Sequence, residues 1–201
     1  MNLLLVSGGL TTDPIIEAFR NNLPNKPEET KLIFIGTDTN NPFYTKAINY
    51  TKQTLNKIGI KTTNITVYNL YDETNPTINK YDVVIMLGGS LSEYMNRIHQ
   101  LGLYDELDQF VLDGGFYVGA SAGGMITGPS FDASKVSNHP NDADVTDFHG
   151  FSWVDFVLIP HWASLDNPEK TYDYHRESGC KMLYISDQQA ILIHNDYYKI
   201  I

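Results

Sequence analysis

The chain has 201 residues, 42% of them hydrophobic, enough for the core of one large domain. Its 24 acidic against 14 basic side chains give a formal charge of −10, which argues against a nucleic-acid or anionic-membrane surface. Cys180 is the only cysteine, so an internal disulfide and a cysteine-based metal site are excluded, and it reads as a small buried hydrophobe.

No run approaches the ~20 apolar residues of a membrane helix. The apolar start, residues 1–6, reads as a first strand rather than a secretory signal, and a cytoplasmic location is expected. Short apolar runs then alternate with helix-period segments, the pattern of a parallel α/β sheet. Ser7-Gly8-Gly9 follows the first strand, and a helix starts at Asp13-Pro14, with Asp13 as its N-cap. Residues 32–35 are the second strand. The helix after it covers 42–58, with Phe43, Ala47, Tyr50, Leu55 and Ile58 on one face and Gly59 as its stop. Residues 64–70 alternate and predict a strand at or near a sheet edge. Residues 83–87 are apolar without alternation, which predicts a central strand.

Gly88-Gly89-Ser90 leads from that strand into a helix carrying Leu91, Tyr94, Met95 and Ile98. A helix over 104–112 ends at Gly114-Gly115, and residues 116–118 form a short buried strand. Residues 127–150 are rich in Pro, Asn and Asp, which predicts a long loop over the carboxyl edge of the sheet. Residues 156–159 resume as a strand ending at Pro160-His161. Residues 182–185 and 190–193 read as closing strands, and 197–201 as a last strand after a turn at 194–196. No repeat, low-complexity tract or linker interrupts the chain, so a single domain over 1–201 is expected.

Gly119-Ala120-Ser121-Ala122-Gly123 stands where the strand at 116–118 gives way to small residues and then Met125-Ile126. The pattern G-x-S-x-G alone is unspecific. A strand that turns at once into a helix on such a run forces strained backbone angles on the serine. Its hydroxyl is lifted clear of the sheet, and the next backbone N–H sits at a helix N-terminus, where an oxyanion is well placed. A glycine-rich turn that only lets a helix pack close to a sheet is the plainer reading of the same residues.

A seryl nucleophile needs a base, and the base needs an orienting group. Of the six histidines, His161 follows directly on a buried apolar strand, and strand ends of an open α/β sheet converge on one edge. His139 and His149 lie in the polar loop; His99, His175 and His194 read as surface positions. Asp187 closes the run 183–186 at another strand end and is favoured as the third member, with Asp142 in the loop as its competitor. The N–H of Gly89 supplies a second oxyanion donor beside that of Ala122. The order Ser121, His161, Asp187 departs from the serine–acid–histidine order of α/β-hydrolases. No metal-ligand spacing occurs, and no metal or cofactor is implied.

Gly88-Gly89-Ser90, the Ser121 pentapeptide, Ile159-Pro160-His161 and Ile185-Ser186-Asp187 together resemble the peptidase E group, serine peptidase family S51, to which cyanophycinases also belong. The resemblance runs over nearly the whole chain and implies a fold like class I glutamine amidotransferases (flavodoxin-like), with serine in place of the amidotransferase cysteine. It implies Ser121 as nucleophile, His161 as base, and Gly89 and Ala122 as oxyanion hole. Asp187 falls where the family usually has a glutamate. Asn141-Asp142 resembles a family Asn-Asp pair whose aspartate is an alternative acid. Ser90 stands where the family commonly has asparagine and is a candidate substrate-binding residue. Aspartyl dipeptidases of the group hold the substrate carboxylate with an arginine after the histidine. Here that stretch reads Glu169-Lys170-Thr171-Tyr172, and Arg176 is the nearest replacement.

These observations predict a three-layer α/β sandwich with a mostly parallel sheet, and a cytoplasmic serine peptidase that hydrolyses short peptides through an acyl-enzyme. Its expected partner is the peptide alone, with no nucleic acid or membrane; the oligomeric state stays open. The alternatives are an esterase or amidase with the same triad, and a non-catalytic binding protein on this scaffold.

Overall fold

The apolar runs line up side by side in the computed structural model, which describes residues 1–72, 74–137, 147–195 and 197–201. In chain order the elements are β1 (Asn2–Val6), α1 (Asp13–Asn21), β2 (Leu32–Gly36), α2 (Pro42–Lys57), β3 (Ile65–Asn69), β4 (Val83–Met86), α3 (Leu91–Gln100) and α4 (Leu103–Leu112). They continue with β5 (Phe116–Ala120), α5 (Ala122–Met125), β6 (Val157–Ile159), α6 (Pro168–Ser178), β7 (Met182–Tyr184), β8 (Ala190–His194) and β9 (Tyr197–Ile200). Seven strands form one sheet in the order β3-β2-β4-β5-β1-β8-β9. The first five strands of the chain pair in parallel, and β8 and β9 add an antiparallel edge. The fold is a three-layer α/β sandwich with a mostly parallel sheet.

Successive side chains of a strand point to opposite faces. In β1, Leu3 and Leu5 join one core, with Leu91, Tyr94 and Ile98 of α3 and Leu107 of α4. Leu4 and Val6 join the other, with Ile15 and Phe19 of α1 and Ile48 and Leu55 of α2. Both faces of the parallel strands are thus covered, which is why their sequences are apolar without a break. No helix among the described residues is long and apolar enough to cross a membrane.

Four details differ from the sequence expectations. The N-cap of α1 is Thr12, one residue before Asp13, which lies in the first turn with Pro14. On α2 the buried apolar stripe is Ile48 and Leu55, while Tyr50 is exposed. The strands at 156–159 and 182–185 do not enter the main sheet: β6 and β7 pair with each other in parallel as a separate two-stranded sheet. The ends of the polar segment 127–150 are packed rather than draped: Phe131 and Ala133 are buried, and the Phe131 and Phe148 rings lie 5.4 Å apart. The apolar residues of these two ends pin them down. His139, Asn141 and Asp142 lie outside the described residues.

Candidate active site

Ser121 sits between β5 and α5 with φ 50° and ψ −111°. That conformation is sterically costly for a residue with a Cβ. Close packing on both sides imposes it. A Cβ on Gly119 would lie 2.5 Å from the Gly123 carbonyl oxygen, and one on Gly123 would lie 2.5 Å from that of Met86. The small residues of the pentapeptide are therefore what let α5 fold back onto the strands. Burial drives the Tyr117 phenol well above its ordinary pKa, and the protonated hydroxyl donates to the Gly123 carbonyl at 2.6 Å.

The β1–β5 ladder continues past the strands, with Ser121 N–H donating to the Val6 carbonyl at 2.9 Å, so Ser7 arrives beside the seryl turn. The small sheet supplies the remaining groups. Its parallel register pairs Ile159 with Tyr184 and extends through Ile185 N–H to the Ile159 carbonyl and Trp162 N–H to the Ile185 carbonyl. The residues just beyond each strand, His161 and Asp187, therefore emerge side by side.

His161 takes a left-handed conformation, φ 56°, and its ring bridges the two units. Nε2 lies 2.9 Å from Ser121 Oγ and Nδ1 2.5 Å from Asp187 Oδ1. Asp187 reaches the ring without the extra methylene of a glutamate. Gly8 permits this: a Cβ there would stand 3.2 Å from the Asp187 carbonyl oxygen and 3.3 Å from its Cβ. Ser7 completes the group. Its hydroxyl donates to Asp187 Oδ1 at 2.6 Å and accepts the His161 backbone N–H at 2.8 Å. With Asp187 accepting from Nδ1–H, Nε2 is left as the acceptor that faces Ser121.

Gly89 has φ 154°, and a Cβ on it would meet the Tyr94 ring at 3.0 Å and the Thr37 and Tyr44 hydroxyls at 3.3 Å. Only glycine fits there. Gly88 packs against Ser121, with a built Cβ 3.4 Å from the serine's own. Ala122 opens α5, so its N–H has no carbonyl within the helix to bond. A cavity of about 290 Å³ opens beside Ser121 at the carboxyl edges of β1, β5 and β4 and is walled on its far side by α2.

Two residues expected to bind substrate have other surroundings. Ser90 caps α3, accepting from Glu93 N–H at 3.3 Å and sharing a hydrogen bond with Ser92 at 3.0 Å. Arg176 stands exposed on α6 and is ion-paired with Asp173. Neither is among the described residues that line the cavity. Ser7 is the site residue that sequence reading missed; Ser7-Gly8-Gly9 read only as a turn after the first strand.

The carboxyl edge of the parallel sheet thus carries a serine at positive φ against a histidine, an arrangement compatible with a hydrolase. The sequence matches the model of Peptidase family S51 over residues 3–201, and the chain belongs to that family; it is a peptidase. It is 26% identical to the uncharacterized peptidase Lin0382 of Listeria innocua, over 97% of this chain and 93% of that one. It is also 26% identical to a peptidase E of a Nostoc species, over 47% of this chain and 38% of that one. A crystal structure of a candidate peptidase E from Listeria monocytogenes superposes with a TM-score of 0.78 at 21% identity, covering 100% of this chain and 97% of that one. A peptidase from an acI-B1 actinobacterium superposes with a TM-score of 0.69 at 15% identity, covering 100% and 86%. These two likenesses show the shared fold.

Proposed function

We propose that the protein is a cytoplasmic serine peptidase that cleaves short peptides through an acyl-enzyme on Ser121. The observation that carries this reading is the unbroken chain from Ser121 Oγ through the His161 ring to Asp187. Ser121 Oγ attacks the scissile carbonyl as His161 Nε2 takes its proton. Asp187 holds the imidazole in the needed tautomer and stabilises the imidazolium. The carbonyl oxygen, now negative, is met by the N–H groups of Gly89 and Ala122. His161 then protonates the leaving amine, and a water molecule, deprotonated in turn by His161, releases the acyl group. Ser7 acts through the other two as a positioning residue.

Labelling with a fluorophosphonate serine probe tests the nucleophile. Stoichiometric modification at Ser121 is expected, and its absence from folded protein overturns the assignment of Ser121 as nucleophile. A panel of dipeptides against acyl esters then separates peptidase from esterase.

Asp187→Asn is expected to lower kcat by about 10³–10⁴-fold, the order seen when a triad aspartate loses its charge. Asp142→Asn is expected to lower it far less. Asp187 follows a strand and is held by Ser7, which gives it the fixed position an orienting group requires. The reverse ranking in steady-state kinetics would transfer the role to Asp142.

No strong preference for N-terminal aspartate is expected. Arg176 already faces Asp173 on the surface of α6, and a carboxylate taken out of water without a cation loses several kcal/mol, on the order of a thousandfold or more in affinity. The check is kcat/KM for Asp-Leu against Ala-Leu and Asn-Leu. A preference for Asp-Leu above about a hundredfold contradicts this expectation, and Arg176→Ala then tells whether Arg176 is the anchor.

A further inference from the structure

We propose that the cavity beside Ser121 is the subsite for the side chain of the residue whose carbonyl is attacked, and that this residue is apolar, of leucine to phenylalanine size. The inference rests on Ser121 being the nucleophile.

Strand order divides the surroundings of Ser121. β1 lies on one side of β5 and brings Ser7, which holds His161 and Asp187. β4 lies on the other side and continues into Gly88 and Gly89. The proton on His161 must reach the leaving amine, so the leaving half of the substrate lies toward β1. The acyl half then lies toward β4, and there the cavity, which also touches residues 6–10 at the end of β1, runs past Leu87, Gly88 and Gly89 to α2.

Away from Ser7, Ser121 and His161 the walls of the cavity are chemically uniform. Leu10, Leu87 and Val118 are buried side chains with no polar atom to offer. From α2 come Ala47 and the uncharged hydroxyl-bearing Tyr44 and Thr51. Among the described lining residues there is no lysine, arginine, aspartate or glutamate. A charged side chain would leave water there without a counter-ion, whereas an apolar one only sheds water. A volume of about 290 Å³ stands at the lower end of pockets that take small molecules, which suits one large side chain rather than several residues.

The test uses the whole protein and diphenyl α-aminoalkylphosphonates bearing leucine, phenylalanine, alanine, aspartate or lysine side chains. Ser121 Oγ bonds phosphorus, its proton passes to His161, and phenoxide leaves, so the inactivation rate reads the acyl subsite without turnover. The leucine and phenylalanine reagents are expected to react at least tenfold faster than the aspartate and lysine ones. Ala47 is exposed on α2 at the cavity wall, a position where a larger side chain spares the core. Ala47→Phe is expected to cut the leucine-to-alanine rate ratio at least tenfold, and a ratio is unaffected by general loss of activity. Equal rates across the panel, including no reaction at all, overturn the subsite, as does a ratio that Ala47→Phe leaves unchanged. The wild-type ranking decides the matter even if the variant fails to fold. Labelling by a small alkyl fluorophosphonate, read separately at Ser121, tells these failures from failure of the nucleophile itself, in which case no probe modifies the serine and both readings fall.

Discussion

Ser121→Ala is expected to lower peptide hydrolysis by about a millionfold, the order of loss when a catalytic serine is removed from a triad. Alanine keeps the Cβ, so the packing of Gly88 against residue 121 is retained, with a built Gly88 Cβ 3.4 Å from it in the wild type. The backbone contacts of the turn do not involve the hydroxyl: the N–H of residue 121 bonds the Val6 carbonyl, and its own carbonyl accepts from Gly124 and Met125. The hydroxyl's bond to His161 is lost while the fold stands. The measurement is kcat on a cleaved dipeptide, with circular dichroism and thermal melting to confirm an unaltered fold. Activity within about tenfold of wild type would sink the assignment of Ser121.

His161→Ala is expected to be nearly as damaging, and the Ser121→Ala/His161→Ala double variant no worse than either single one. Nucleophile and base act as a unit, so once one is gone the other has nothing left to do. The geometry that motivates this is the 2.9 Å approach of Nε2 to Oγ together with the 2.5 Å approach of Nδ1 to Asp187. Residual activity in all three variants would come from the Gly89 and Ala122 N–H groups and from substrate positioning, which the substitutions leave in place. If instead the two losses multiply, His161 acts outside the triad, and another base must be found.

Ser121, His161 and Asp187 were legible in the sequence because each stands at the end of an apolar run, and strand ends gather at one edge of a parallel sheet. That reasoning named three residues whose side chains the structure brings together, by a partly wrong route. His161 and Asp187 do not leave strands of the main sheet; they leave a separate pair, and the pairing of 157–159 with 182–184 brings them together. Which sheet a short apolar strand joins depends on contacts between distant segments, and a local pattern carries no trace of it. Ser7 was missed for the same reason. Its value lies in β1 being next to β5, an adjacency that nothing near Ser7 in the chain announces. Tyr50 shows the limit within a single helix: it falls at helical spacing with Ala47, yet the stripe that turns inward on α2 is Ile48 and Leu55. An aromatic ring carrying a hydroxyl is compatible with either face.

The proposed nucleophile and base are both held at positive φ, Ser121 at 50° and His161 at 56°. Each such conformation costs on the order of 1–3 kcal/mol, and it persists because the surrounding packing leaves no alternative. A folded domain of this size is stable by only about 5–15 kcal/mol, so these two positions take a sizeable share of the margin. At residues 121 and 161 thermodynamic robustness and chemical competence therefore pull in opposite directions. Selection for thermal tolerance alone would favour relaxing them, and a descendant freed from the need to cleave peptides could become sturdier by giving up the serine.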